Sequence, residues 1–97
     1  MVPFEEKTTS FCTKIITISD DELQFLDFDN TIKNAKFTDS TLIGEAKLNE
    51  DSGNLYTNFL AYDTPNRFKQ GDFIHLIYYK KNDALIAYQV LKIKWEE

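Results

Sequence analysis

Residues 72–95 read DFIHLIYYKKNDALIAYQVLKIKW. Two runs rich in β-branched and aromatic residues, Asp72–Tyr79 and Ala84–Trp95, flank the polar tetrad Lys80-Lys81-Asn82-Asp83. Apolar runs of this length broken by a short polar cluster predict two strands joined in a hairpin. The second run changes its apolar face: Ile86, Tyr88 and Val90 share one side, then Leu91, Ile93 and Trp95 take the other. A period-two strand does this through a bulge, expected near Val90–Leu91, or because a partner covers both faces. An outward stripe of Leu91, Ile93 and Trp95 is therefore a candidate protein contact.

Upstream the same periodicity recurs. Phe11–Ile18 is β-branched and alternating, Ser19–Glu22 is a polar turn, and Leu23–Phe28 completes a second hairpin. Thr41–Leu48 and Asn54–Tyr62 flank a loop that contains Gly53, and Pro65 marks a turn at Asp63–Asn66. Residues 29–40 read equally as strand, capped helical turn or irregular chain. No long segment carries the i, i+3, i+4, i+7 apolar spacing of a helix. The fold class expected is all-β, a small antiparallel barrel or sandwich of six to seven short strands.

At 97 residues the chain has room for one core, so residues 1–97 are expected to form a single domain. The apolar fraction of 42%, with eight Phe and five Tyr, is enough to fill it. No apolar stretch reaches the ~18 residues of a membrane span, and the start, MVPFEEKTTS, has acids where a signal peptide is basic. One cysteine, Cys12, excludes an internal disulfide and reads as a small hydrophobe in a strand. Together these predict an intracellular, cytoplasmic protein. One Cys and one His cannot form a Cys/His zinc site, and Ser-His-Asp catalysis would have only His75 to use. His75, inside an apolar strand, is expected at a structural or rim position.

Net charge is −5 but unevenly placed. Residues 1–66 carry five Lys against twelve acids, whereas residues 67–97 carry six Lys or Arg against four acids. Aromatic residues interleave with the basic ones from Arg67 onward. Single-stranded nucleic acid is held by cationic grooves lined with aromatic faces, so Arg67, Lys69, Tyr79, Lys80, Lys81, Lys92 and Lys94 are the candidate nucleic-acid contacts. The order Gly71-Asp72, alternating apolar strand, turn and second strand resembles the closing strands of an oligonucleotide/oligosaccharide-binding barrel. That resemblance implies a small closed β-barrel with a surface for single strands.

A different resemblance lies at residues 25–32, FLDFDNTI. An apolar strand ending in Asp-x-Asp-x-Thr is similar to the first motif of the haloacid dehalogenase superfamily. The resemblance implies Asp27 as nucleophile, Asp29 as general acid/base, Thr31 as a positioning residue, and a Mg²⁺ ion. It covers about eight residues. That superfamily is built on a doubly wound sheet whose βαβ units take ~30 residues each. The second acidic motif is also missing, because Gly71-Asp72 is followed by Phe, Ile, His, Leu and Ile. Asp27 and Asp29 are therefore expected on the outward face of a strand end, with Phe25 and Phe28 in the core, and no catalytic, cofactor or metal residue is assigned. The functional expectation is a non-catalytic protein-interaction module, with single-stranded nucleic-acid binding as the alternative and self-association open.

Overall fold

The computed structural model describes residues 8–49 and 55–95. They form seven strands: β1 (Thr8–Ile18), β2 (Glu22–Leu26), β3 (Ile32–Lys36), β4 (Leu42–Asn49), β5 (Leu55–Ala61), β6 (Phe73–Lys81) and β7 (Ala84–Trp95). A single 3-10 turn, Pro65–Arg67, interrupts the connection from β5 to β6. The all-β expectation holds, and the ambiguous stretch after Asp29 supplies β3. The predicted Gly53 turn lies outside the described residues.

Hydrogen bonding runs in the order β3-β2-β1-β6-β7-β4-β5, and β3 also pairs with β7. Strands β1, β2, β3, β7 and β6 thus close a five-stranded ring, while the β4–β5 hairpin extends outward along β7. Every contact in the ring is antiparallel except β3–β7, which is parallel and only two rungs long, Ala35↔Leu85 and Lys36↔Ile86. β1 has a neighbour on each edge, and its register against β2 shifts between Ile15 and Thr17. Its first seven residues pair with β6 and its end with β2, the bend a bulge provides.

Alternation decides what fills the ring. Phe11, Thr13 and Ile15 of β1, Leu23 and Phe25 of β2, and Ile74, Leu76 and Tyr78 of β6 sit at inward positions, and most are fully buried. Ala35, Ala87 and Val90 complete that core from β3 and β7. Tyr62 and Phe68 enter it from the β5–β6 connection, their ring centroids 5.0 Å apart. The β6–β7 turn is tight because Asn82 and Asp83 both adopt positive φ, 52° and 65°, as a two-residue type I′ loop requires. Among the described residues, Gly44 is the glycine demanded by close approach: a Cβ there would lie 2.4 Å from the Leu60 carbonyl oxygen.

The face change in β7 corrects the sequence expectation in two ways. The register shift lies opposite Ile77–Tyr78 and makes Tyr88 the extra residue, two positions before the expected site. Ala87 and Val90 consequently both point inward. Leu91 and Ile93 are buried on the opposite side, each 6% exposed, next to buried Ala46 of the parallel neighbour β4. Both faces of β7 are covered there by this chain itself, so Leu91 and Ile93 are not an exposed stripe. The Trp95 side chain lies outside the described residues.

Candidate interaction surfaces at the ends of the ring

The Asp-x-Asp-x-Thr segment is a turn built around one buried carboxylate. Asp27 continues the inward direction of Leu23 and Phe25 and is 2% exposed. Its Oδ2 accepts the Tyr78 hydroxyl at 2.8 Å and the Lys33 ammonium at 2.6 Å, and its Oδ1 accepts the Phe28 N–H at 2.9 Å. The backbone closes from Asp27 N–H to Thr31 O at 2.8 Å, with Asn30 at φ 66°. Asp29 accepts the Thr31 hydroxyl at 2.5 Å and its N–H at 3.1 Å. Those two bonds, aided by Lys33, hold the Asp29 carboxyl down at about 2. Lys33, bridging Asp27 and then Asp29, is pushed up to about 12.

Two expectations are overturned here. Asp27 is a buried group and not part of an acidic face, while Phe28, expected in the core, is 70% exposed. The chain leaves β2 at Leu26, so period two holds through Asp27 and ends at the turn residue Phe28. Both Asp27 oxygens are engaged by this chain's own donors.

The candidate nucleic-acid contacts do not form one groove. Lys92 faces Asp72 at 3.5 Å, and Lys94 pairs with Glu45 at 2.7 Å. The Tyr62 hydroxyl donates to Glu45 at 2.9 Å, and the Arg67 guanidinium lies over the Tyr62 ring, 4.9 Å from its centroid. The Lys69 N–H donates to Asp72 at 2.7 Å. These four basic residues therefore share one end with two acids. Lys80 and Lys81 sit at the β6–β7 turn, beside half-buried Tyr79. Along β7, the separation from the rung of Lys80 to Lys94 is about 30 Å at ~3.3 Å per residue.

These networks set a pH profile. Lys94, with the Tyr62 hydroxyl, holds Glu45 below its usual value. Burial and then Glu45 push Tyr62 up to about 12, and burial followed by Asp27 raises Tyr78. The depressed carboxyls contribute stability above their ordinary range, and that share is lost as pH falls toward about 2 for Asp29. The raised phenols contribute fully below about pH 10, and this share is lost as pH climbs through their folded values. Burial also holds His75 below its usual value, so stability is lost as pH falls below about 6.5, and calorimetry should give a melting temperature flat from about pH 7 to 9 and falling on both sides. In Tyr62→Phe the alkaline fall should be shallower, and an unchanged alkaline limb would contradict the Tyr62–Glu45 assignment.

Two cavities flank the ring. One, of about 570 Å³, lies between the β2–β3 and β6–β7 hairpins, lined by Glu22, Lys33, Asn34 and Lys36 on one side and Lys80, Asp83 and Leu85 on the other. The second, of about 480 Å³, has Asp20, Asp21, Asp39 and Asp63 around Phe37, Ile43 and Tyr62. Among the described residues no three His, Cys, Asp or Glu side chains gather into a group that could hold a metal ion. Cys12, expected as a small hydrophobe, is exposed on the outer face of β1, opposite His75. The Ser10 hydroxyl lies 2.7 Å from His75 Nε2.

Among the described residues, large apolar side chains are exposed on the β2–β3 hairpin, on β4 and β5, and at Tyr88 of β7. Leu26 and Ile32 are cross-strand partners, 43% and 59% exposed, and Phe28 projects from the turn between their strands. Leu42, Phe59 and Leu60 are exposed on β4 and β5. Nothing in the sequence distinguished Phe28 from the core Phe residues, because the turn that exposes it depends on the carboxylate buried beside it. Among the described residues no helix is long and apolar enough to cross a membrane. No protein-family model, curated protein or solved structure matches the chain.

Proposed function

We propose that the chain is a non-catalytic protein-binding domain that makes contact through Leu26, Phe28 and Ile32. The observation that carries this reading is their exposure together at one end of the ring, on the β2–β3 hairpin. Three large apolar groups left in water at one place favour an apolar partner. The turn beneath them is held by the Asp27–Tyr78–Lys33 bonds, so the surface is formed before a partner arrives.

The test is capture of a host protein by the tagged chain, compared with Phe28→Asp/Ile32→Lys. Both positions are exposed and Phe28 keeps only an edge contact with Phe11, so the variant should stay folded and melt within about 8 °C of the wild type. A partner held by the wild type in about 0.5 M salt and lost by the variant supports the proposal, because apolar contact survives screening. Equal capture by both forms would overturn the siting.

A second reading is favoured by the ring. Five strands closed by a parallel rung between β3 and β7 resemble the oligonucleotide/oligosaccharide-binding barrel, a five-stranded Greek-key barrel that binds ligands on its second and third strands and adjoining loops. Here the corresponding surface carries the groove with Lys33, Lys36 and Lys80. In place of the helix of that barrel, the chain has the β4–β5 hairpin between β3 and β6. Single-stranded DNA binding at about 50 mM salt, lost steeply as salt rises, is what this reading requires.

A further inference from the structure

We propose that two copies of this chain associate through the open edge of β5, pairing antiparallel about a two-fold axis. This goes beyond the binding surface at Leu26, Phe28 and Ile32, with which β5 shares no strand.

The topology leaves this edge over. β5 ends the hydrogen-bonding order and pairs with β4, whereas β3, at the other end of that order, turns back onto β7. Among the described residues no strand lies along the outer side of β5. The Tyr62 N–H bonds Ile43 O at 2.9 Å, so the amide of Ala61, one residue back, points away from β4 by the alternation of an antiparallel ladder. A row of unpaired amides and carbonyls is a template for another strand, and proteins guard it with charge or proline. Each of the other six strands carries at least one Lys or Glu, but β5, with the sequence LYTNFLA, carries none. It has no Pro or Gly either, and its Phe59 and Leu60 are 57% and 50% exposed. The partly open edge of β3, by contrast, bears Lys33 and Lys36.

This neutrality selects a second copy. About a two-fold axis a strand runs against itself, so a charge near the axis meets its like, which costs stability. β5 can be set against itself in any register without such a rung, and it offers no charge with which to choose a foreign strand. Elsewhere the net charge of −5 on each chain opposes association. The ladder to β4 shifts register between Glu45 and Lys47, and on β5 Asn58 and Phe59 fall between the rungs at Thr57 and Leu60. The extra residue bends the strand there. With the axis at this bulge, residues 55–57 of one copy run beside residues 60–61 of the other. The regular segments then meet, and the irregular one falls at the centre.

One strand from each copy makes an interface below the ~1,200 Å² of standard complexes. Sedimentation equilibrium of the full chain should therefore show one copy giving way to two as concentration rises through roughly 10–100 µM. Hydrogen exchange at the Ala61 amide should slow over the same range. Because the chains repel and the contact is uncharged, about 0.5 M salt should tighten the pair. Phe59→Lys and Phe59→Glu, both at an exposed position, should each weaken it about tenfold or more, and an equimolar mixture of the two should restore it. Damage to the fold could not be rescued in this way. A chain that stays single at about 1 mM would overturn the proposal. So would association without slower exchange at Ala61, a mixture that shows no rescue, or growth beyond two copies. Loss of the pair in Phe28→Asp/Ile32→Lys would move self-association to the β2–β3 hairpin and overturn it too. If the chain stays single while Phe59→Lys loses a captured host protein, the edge serves a foreign strand and self-pairing is excluded.

Discussion

Phe25→Ala should destabilise the fold by about 3–5 kcal/mol, the cost of deleting a ring from a fully packed core. Phe25 is 0% exposed on β2, and its ring lies 6.0 Å from Phe11 of β1 and 5.5 Å from Tyr78 of β6. Three strands of the ring meet at that side chain, and none can move inward without breaking a ladder on its other edge. The cavity should therefore stay open. For a domain of this size the melting temperature should fall by roughly 12–40 °C, against a total stability of only about 5–15 kcal/mol. Phe28→Ala, three residues further on, loses only an edge contact with the Phe11 ring 6.0 Å away and should cost about 1 kcal/mol or less. Urea denaturation of the two variants in parallel is the measurement. Similar losses for both would mean that β2 does not end its inward alternation at Asp27.

That pair of phenylalanines shows where the sequence was legible. Six strands could be read from period two and turn chemistry because each carries several residues that obey one rule. β7 spans Ala84–Trp95, the full length its apolar run predicts. β3, with the sequence IKNAK, has one buried residue, Ala35, and no apolar alternation to announce it. It is a strand because β2 and β7 lie on either side, which is tertiary information. The inverted exposure of Asp27 and Phe28 has the same origin: a carboxylate is assigned outward unless its partners are known, and Tyr78 is fifty-one residues away. The burial of Leu91 and Ile93 depends on β4 running parallel beside β7, a long-range pairing that no local pattern encodes. The basic residues looked like one cluster along the chain, yet β7 carries them from one end of the ring to the other.

Asp27→Ala should cost about 3 kcal/mol, comparable with a core deletion although the residue is charged. The reason is what remains. Tyr78, itself 6% exposed, keeps its hydroxyl and loses the acceptor at 2.8 Å, and the Phe28 amide loses the cap at 2.9 Å. Lys33 retains Asp29 at 3.2 Å, so it is not stranded, which keeps the loss at the lower end for a broken buried ion pair. Asp27→Asn preserves the shape and one acceptor oxygen but not the charge opposite Lys33, and should fall between wild type and alanine. Tyr78→Phe removes only the donor and should cost about 1.5–3 kcal/mol alone. In the Asp27→Ala background it should cost less, because the hydroxyl then keeps only its bond with the Thr9 side chain, giving a coupling of about 1–2 kcal/mol in the double-mutant cycle. Additive losses would show that the two side chains act separately and would remove the basis for a preformed β2–β3 turn. The same cycle bears on binding, since the turn sets where β3 begins. Loss of Asp27 should raise hydrogen exchange at Ile32 and weaken capture of the partner beyond what the stability loss alone accounts for.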